Sequence, residues 1–173
     1  MVFTPVIIQP IMHSIIVTAI FLLVSTQAFA NTLQGKVINV TDGDTVTILD
    51  EQGLKHPIRL VGIDAPEKGQ PYGEASTQNL IELVSGKTVT IEYEKRDRYK
   101  RIVGKVLVDP PGEVFCLAIG CVKKIDAGLE QVMAGLAWHY KKHQNEQSEK
   151  DREEYSAAES VARGQQLGLW KEK

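Results

Sequence analysis

Two β-branched runs, Lys36 to Val40 and Thr45 to Leu49, flank Asp42-Gly43-Asp44, and Glu51-Gln52-Gly53 turns the chain into a third run, Leu54 to Gly62. Short runs of this kind between Asp/Gly turns predict a three-strand meander. From Gly73 to Val84 the period changes. Ala75, Leu80, Leu83 and Val84 recur largely at helical spacing, and Gly86 stands in C-cap position. Val89, Ile91 and Tyr93 then alternate with polar residues and Ile102 to Val108 is again β-rich, so a second hairpin follows with Glu94 to Arg101 at its tip. Asp126 can cap a helix whose Leu129, Val132, Met133 and Leu136 fall at i, i+3, i+4 and i+7. Ser148 with Asp151 resembles a capping box opening a last helix that runs to the region of Arg163, before Gly164.

The order β-β-β-α-β-β-α-α predicts an α+β fold. A closed five-stranded β-barrel of the OB type with three α-helices fits it, because short twisted strands that close on themselves leave no free edge. No internal repeat or low-complexity linker divides the chain. At 173 residues, 43% hydrophobic and 24% charged, it has the make-up of one globular domain rather than a disordered segment.

Charge separates a leader from that domain. Met1 to Ala30 holds no Asp, Glu, Lys or Arg, Ile15 to Val24 is nearly all apolar, and Ala28-Phe29-Ala30 is a small-x-small cleavage signal. Residues 1–30 are therefore expected to be a signal peptide and 31–173 the mature domain, periplasmic or secreted, with no stable membrane association after cleavage. The basic residue that usually precedes such an apolar run is absent, and Met12 is an alternative start. An uncleaved anchor is the competing reading. In an exported chain Cys116 and Cys121 are candidates for a disulfide, against which stand two buried free thiols.

The net charge of −2 does not announce a nucleic-acid binder. Its distribution is more telling. Lys87, Lys95, Arg96, Arg98, Lys100, Arg101 and Lys105 crowd Ser85 to Lys105, whereas Glu146 to Glu159 is mostly acidic. Any footprint for a polyanion is local.

Three segments carry candidate chemistry in order: Asp42-Gly43-Asp44-Thr45, then Arg59-Leu60-Val61-Gly62-Ile63-Asp64-Ala65-Pro66-Glu67, then Asp97-Arg98-Tyr99-Lys100-Arg101. The arrangement resembles the staphylococcal nuclease family, and the likeness continues through Gly135-Leu136-Ala137-Trp138 to Gly168-Leu169-Trp170. The resemblance implies an endonuclease that hydrolyses phosphodiester bonds of DNA or RNA and leaves 3′-phosphate ends, and the leader predicts its export. It assigns Asp44, Asp64 and the Ala65 carbonyl to Ca2+, Glu67 to the attacking water, and Arg59 with Arg101 to the scissile phosphate. Two carboxylates and a carbonyl leave room for water and a phosphate oxygen around a hard ion, and a guanidinium can meet two phosphoryl oxygens at once. Arg98 and Tyr99 match substrate-binding residues. Trp138 and Tyr140 are candidates for a base-stacking surface, though spacing after Ala137 departs from the family and leaves Trp138 open to a core role.

Ala65 stands where the family can have Thr, which removes a hydroxyl and keeps the carbonyl. Asp109 to Lys124, with Pro110-Pro111-Gly112 and both cysteines, is a longer connection than a simple turn. His139 and His143 lack a Ser or Cys partner and read as surface residues. A monomer is expected, with nucleic acid as partner. The competing function is a non-catalytic nucleic-acid- or protein-binding module on the same barrel, since OB barrels often bind without chemistry.

Overall fold

The structure, a computed structural model, describes residues 31–110 and 124–171. The leader, Cys116 and Cys121 lie outside the described residues, so the disulfide and the signal peptide remain expectations. The base of the long connection is visible: Lys124 Nζ meets Asp109 Oδ1 at 3.0 Å.

Five strands form the barrel: β1 (Asn31–Asp42), β2 (Thr45–Leu49), β3 (Lys55–Leu60), β4 (Thr88–Arg96) and β5 (Ile102–Val108). Helices α1 (Gly73–Val84), α2 (Ala127–Met133) and α3 (Glu149–Gly164) complete the expected α+β fold. Strands lie in the order β3-β2-β1-β4-β5, and a parallel pairing of β3 with β5, Ile58 to Ile102 through Leu60 to Gly104, closes the ring. β1 is long because it serves two neighbours. Asn31 to Lys36 pairs with β4, Lys36 to Asp42 pairs with β2, and two register shifts after Val37 and Val40 bend the strand between them. Inside lie Val37, Val46, Ile48, Ile58, Leu60, Ile91, Ile102 and Val106, with Leu80 and Val84 of α1 packed against them. Among the described residues no helix is long and apolar enough to cross a membrane.

Two expectations need correction. The stripe containing Leu136 does not stay helical, because α2 ends at Met133 and Gly135 takes φ +68°, a left-handed conformation that stops the helix. Met133, expected on the buried stripe, is exposed. The charged tip is also shorter than expected, since β4 keeps pairing to Arg96 opposite Ile102.

The C-terminal helices are fastened to the barrel wall by one polar knot. Asp126 Oδ1 caps α2 through Gly128 N (3.0 Å) and Leu129 N (3.4 Å), and its carboxylate accepts the Tyr155 hydroxyl. Lys105 of β5 adds Asp151 at 2.5 Å and Asp126 at 3.6 Å. Burial pushes the Asp126 carboxyl above its ordinary value despite Lys105 and Tyr155, and burial also raises the Tyr155 hydroxyl.

Candidate active site

The Asp42-Gly43-Asp44 turn joins β1 to β2 and is tied down from both ends. Asp42 Oδ1 accepts Asp44 N at 3.0 Å, and Asp44 O accepts Leu60 N at 2.8 Å. A side chain at Gly43 would run into Ser76 Oγ and Ala65 Cβ, so only glycine lets the turn lie this close to α1. Asp44 is buried, 5% exposed. Its Oδ1 accepts the Thr45 hydroxyl at 3.0 Å and its Oδ2 accepts Ala65 N at 2.9 Å.

Arg59 of β3 sits between the two carboxylates. Its register opposite Thr45 on β2 and Val103 on β5 brings its Nη1 onto Asp44 Oδ2, while Nη2 reaches Asp64 Oδ1 at 3.0 Å. Burial lowers the guanidinium's pKa and Asp64 opposes that, while the charge of Arg101 adds to the lowering. Arginine keeps its proton under such shifts. Two carboxylates are hard oxygen donors of the kind a hard cation takes, while the Arg59 charge already paired with both opposes a second cation there. Among the described residues no group of three or more His, Cys, Asp or Glu side chains converges. An ion held by Asp44 and Asp64 therefore depends on carbonyl, water or substrate oxygens for the rest of its shell.

Arg101 approaches from the β4–β5 connection. Asp97 Oδ1 accepts the backbone N–H groups of Tyr99 and Arg101 at 2.9 Å each, and Asp97 Oδ2 takes Arg101 Nε at 2.8 Å. Among the described residues the Nη atoms of Arg101 have no hydrogen-bond partner. Desolvation works against the Asp97 carboxylate, but these bonds outweigh it and lower its pKa. Tyr99 is exposed, with the Arg98 guanidinium 4.8 Å and that of Arg101 5.5 Å from its ring centre.

Arg59, Arg98, Tyr99 and Arg101 line one cleft of about 690 Å³ together with Tyr140 and Lys142, while Asp44, Asp64 and Glu67 are not among its lining residues. Tyr140 is held there by its N–H to Gly62 O at 2.8 Å and stacks on His143 with ring centres 5.2 Å apart. Trp138 is half-buried, its backbone paired with Asp64, and it is not among the cleft-lining residues. Glu67 is exposed on the loop before α1, its backbone N–H bound to Gln70 Oε1 at 3.0 Å. Among the described residues its carboxylate forms no hydrogen bond or ion pair with Asp44, Asp64, Arg59 or Arg101.

Sequence reasoning missed the far wall. Lys141–Glu146 is a short 3-10 helix in which Glu146 Oε1 accepts Lys95 Nζ at 2.6 Å and His143 Nδ1 at 2.8 Å, tying β4 across the cleft. His143 is half-exposed as expected, but His139 is buried. Its Nε2 meets Gln147 Oε1 at 2.9 Å and its N–H donates to Glu159 Oε1 at 3.1 Å. Buried and half-buried residues alternate from Gly135 to Tyr140, but the large apolar Leu136, Trp138 and Tyr140 are the half-buried ones, so hydrophobic alternation gave no signal that His139 faces inward.

A sequence profile described as staphylococcal nuclease homologue matches residues 57–172, from β3 to the C-terminal segment. An uncharacterized endonuclease of Escherichia coli is 38% identical over 138 residues, covering 80% of this chain and 77% of that protein. A micrococcal nuclease of Shigella flexneri is 33% identical over 159 residues, 90% of this chain and 83% of that one. An uncharacterized endonuclease of Haemophilus influenzae is 33% identical over 135 residues, 78% of this chain and 65% of its own.

Proposed function

We propose that this chain, which belongs to the staphylococcal nuclease family, is an exported, calcium-dependent endonuclease that hydrolyses DNA or RNA and leaves 3′-phosphate ends. Its class is that of a phosphodiester hydrolase acting on nucleic acid. The observation that carries the finer reading is Arg59, paired with both Asp44 and Asp64, lining the same cleft as Arg101.

Asp44 and Asp64 would hold calcium with the Ala65 carbonyl, and the bound ion would act as a Lewis acid toward a phosphate oxygen. The chain's own groups do the rest. Water attacks phosphorus and gives its proton to Glu67, the P–O5′ bond breaks, and the departing O5′ takes up a proton from solvent water, leaving the phosphate on the 3′ side. Negative charge grows on the phosphoryl oxygens as this happens. Arg59 and the free Nη edge of Arg101 are the donors available to meet it, and a planar fork does so with two hydrogen bonds. Tyr99 and Tyr140 offer aromatic surfaces for the neighbouring base. Retention of all five side chains favours an enzyme over a binding module.

Digestion of end-labelled DNA and RNA by the exported protein, with calcium or with a chelator, tests the reading. Calcium-dependent cleavage with 3′-phosphate ends supports it; cleavage undiminished in chelator removes the metal assignment, and 5′-phosphate ends remove the proposed bond of scission. N-terminal sequencing of the exported protein checks cleavage after Ala30.

A further inference from the structure

Gln131 lies on α2 and is fully buried, yet none of the roles above uses it. A buried amide is retained only where its donors and acceptor are satisfied. Those of Gln131 are, and where they go is informative. Its Nε2 donates to Gly43 O at 2.7 Å, and also reaches Ser76 O at 2.9 Å and Ser76 Oγ at 3.2 Å. Its Oε1 accepts Asn79 Nδ2 at 2.5 Å. The main-chain carbonyl of the same residue accepts the N–H groups of Leu136 at 2.9 Å and Ala137 at 3.2 Å.

These bonds run toward both carboxylates. Gly43 immediately precedes Asp44, and Leu136-Ala137 leads directly into Trp138, which pairs with Asp64. Asp44 and the Asp64 segment also meet directly where Asp44 Oδ2 accepts Ala65 N. We propose that Gln131 is a positioning residue that sets the separation of Asp44 and Asp64 by anchoring the Gly43 carbonyl to α2, so that its side chain tunes metal affinity without touching the ion. The inference rests on the calcium reading of those carboxylates. Groups that orient metal ligands from behind typically change affinity by about 10-fold to 100-fold when removed.

Asn79 provides the contrast, because it bonds the same amide group but reaches neither carboxylate segment. Calcium alone, without nucleic acid, is titrated calorimetrically into the mature protein recovered from expression of the full chain, and melting is followed in parallel. Gln131→Met fills similar volume and removes the Gly43 bond; Gln131→Glu keeps the acceptor for Asn79 and removes the donors. Both are expected to weaken calcium binding about 10-fold or more, whereas Asn79→Ala lowers the melting temperature and leaves affinity within about twofold. Absence of calcium binding by the unmodified protein refutes the metal assignment itself. Normal calcium binding by that protein, unweakened in both Gln131 variants, refutes the role of Gln131 alone. Loss of folded protein in both, or equal loss of affinity in Asn79→Ala, identifies Gln131 as a stability residue and also overturns the proposal.

Discussion

Arg59 and Arg101 face the same cleft from walls of unlike construction. Arg59 projects from a strand paired on both sides, beside an Asp44 whose oxygens also take Thr45 and Ala65. Arg101 rests on a short connection folded around a single aspartate, and the wall facing it is a 3-10 turn fastened by Lys95 and Glu146. The first wall cannot change without disturbing the barrel. The second can yield, because exposed ion pairs are each worth only about 0–1 kcal/mol. On the proposed reading, metal ligation and phosphate capture would place different demands on their supports: fixed oxygen positions on one side, and room for a polymer to enter on the other.

The largest effect expected is on the barrel side, where the two proposed calcium carboxylates should behave differently. Asp44→Ala removes the buried carboxylate beside Arg59, leaving it only the half-exposed Asp64 at 3.0 Å, strands the Thr45 hydroxyl and Ala65 N–H, and is expected to cost about 3–5 kcal/mol of stability. Asp64 has a side chain 48% exposed, so Asp64→Ala should abolish calcium-dependent cleavage while moving stability by no more than about 1 kcal/mol. Urea unfolding of both variants decides this, and equal destabilisation breaks the contrast.

Arg101→Lys, on the yielding wall, should leave stability nearly unchanged but lower kcat by about 100-fold to 1000-fold, because charge is kept and the fork is lost. Wild-type cleavage at saturating substrate would reduce the tip to a docking surface. A smaller effect is expected at the far wall. Lys95, read from sequence as general attraction for phosphate, is held by Glu146, so Lys95→Ala should hardly alter binding. Glu146→Gln should release Lys95, lower KM and steepen its salt dependence by about one phosphate contact.

The smallest effect concerns acid. The bonds from Arg101 and the tip backbone hold the Asp97 carboxyl below its ordinary value, so its stabilisation is present above the unfolded pKa of about 3.9 and is lost as pH falls through the lower native one. Hydrogen exchange of the Tyr99 and Arg101 amides should quicken in that range, and Asp97→Asn should remove the pH dependence.

Where local pattern and tertiary need agreed, the fold was legible. Thr45–Leu49, Gly73–Val84 and Ile102–Val108 form the elements that their periodicity predicts. Asp126 and Ser148 cap as expected. Asn31 to Gln34 has no apolar alternation to betray a strand, because backbone pairing with β4 rather than burial defines it. The candidate arginines and Asp44, Asp64 were legible as a set through family resemblance, but the burial of Asp44 was not, since an Asp-Gly-Asp turn reads as solvent-facing. Gln131 gave no signal at all. A lone glutamine on an amphipathic helix looks like a surface residue until its partners, Gly43 and Ser76, are known to lie against it.

On the proposed roles of the two arginines, the parallel seam between β3 and β5 also fixes when cutting power can arise. Arg59 pairs with Val103 across that seam, two residues past Arg101, so the arginines meet only once a pairing between distant stretches of chain has formed. Such long-range closures cost loop entropy before any contact repays it and come late in folding. A growing or unfolded chain therefore carries both arginines without a shared cleft, and a potentially destructive activity stays silent until the ring is shut.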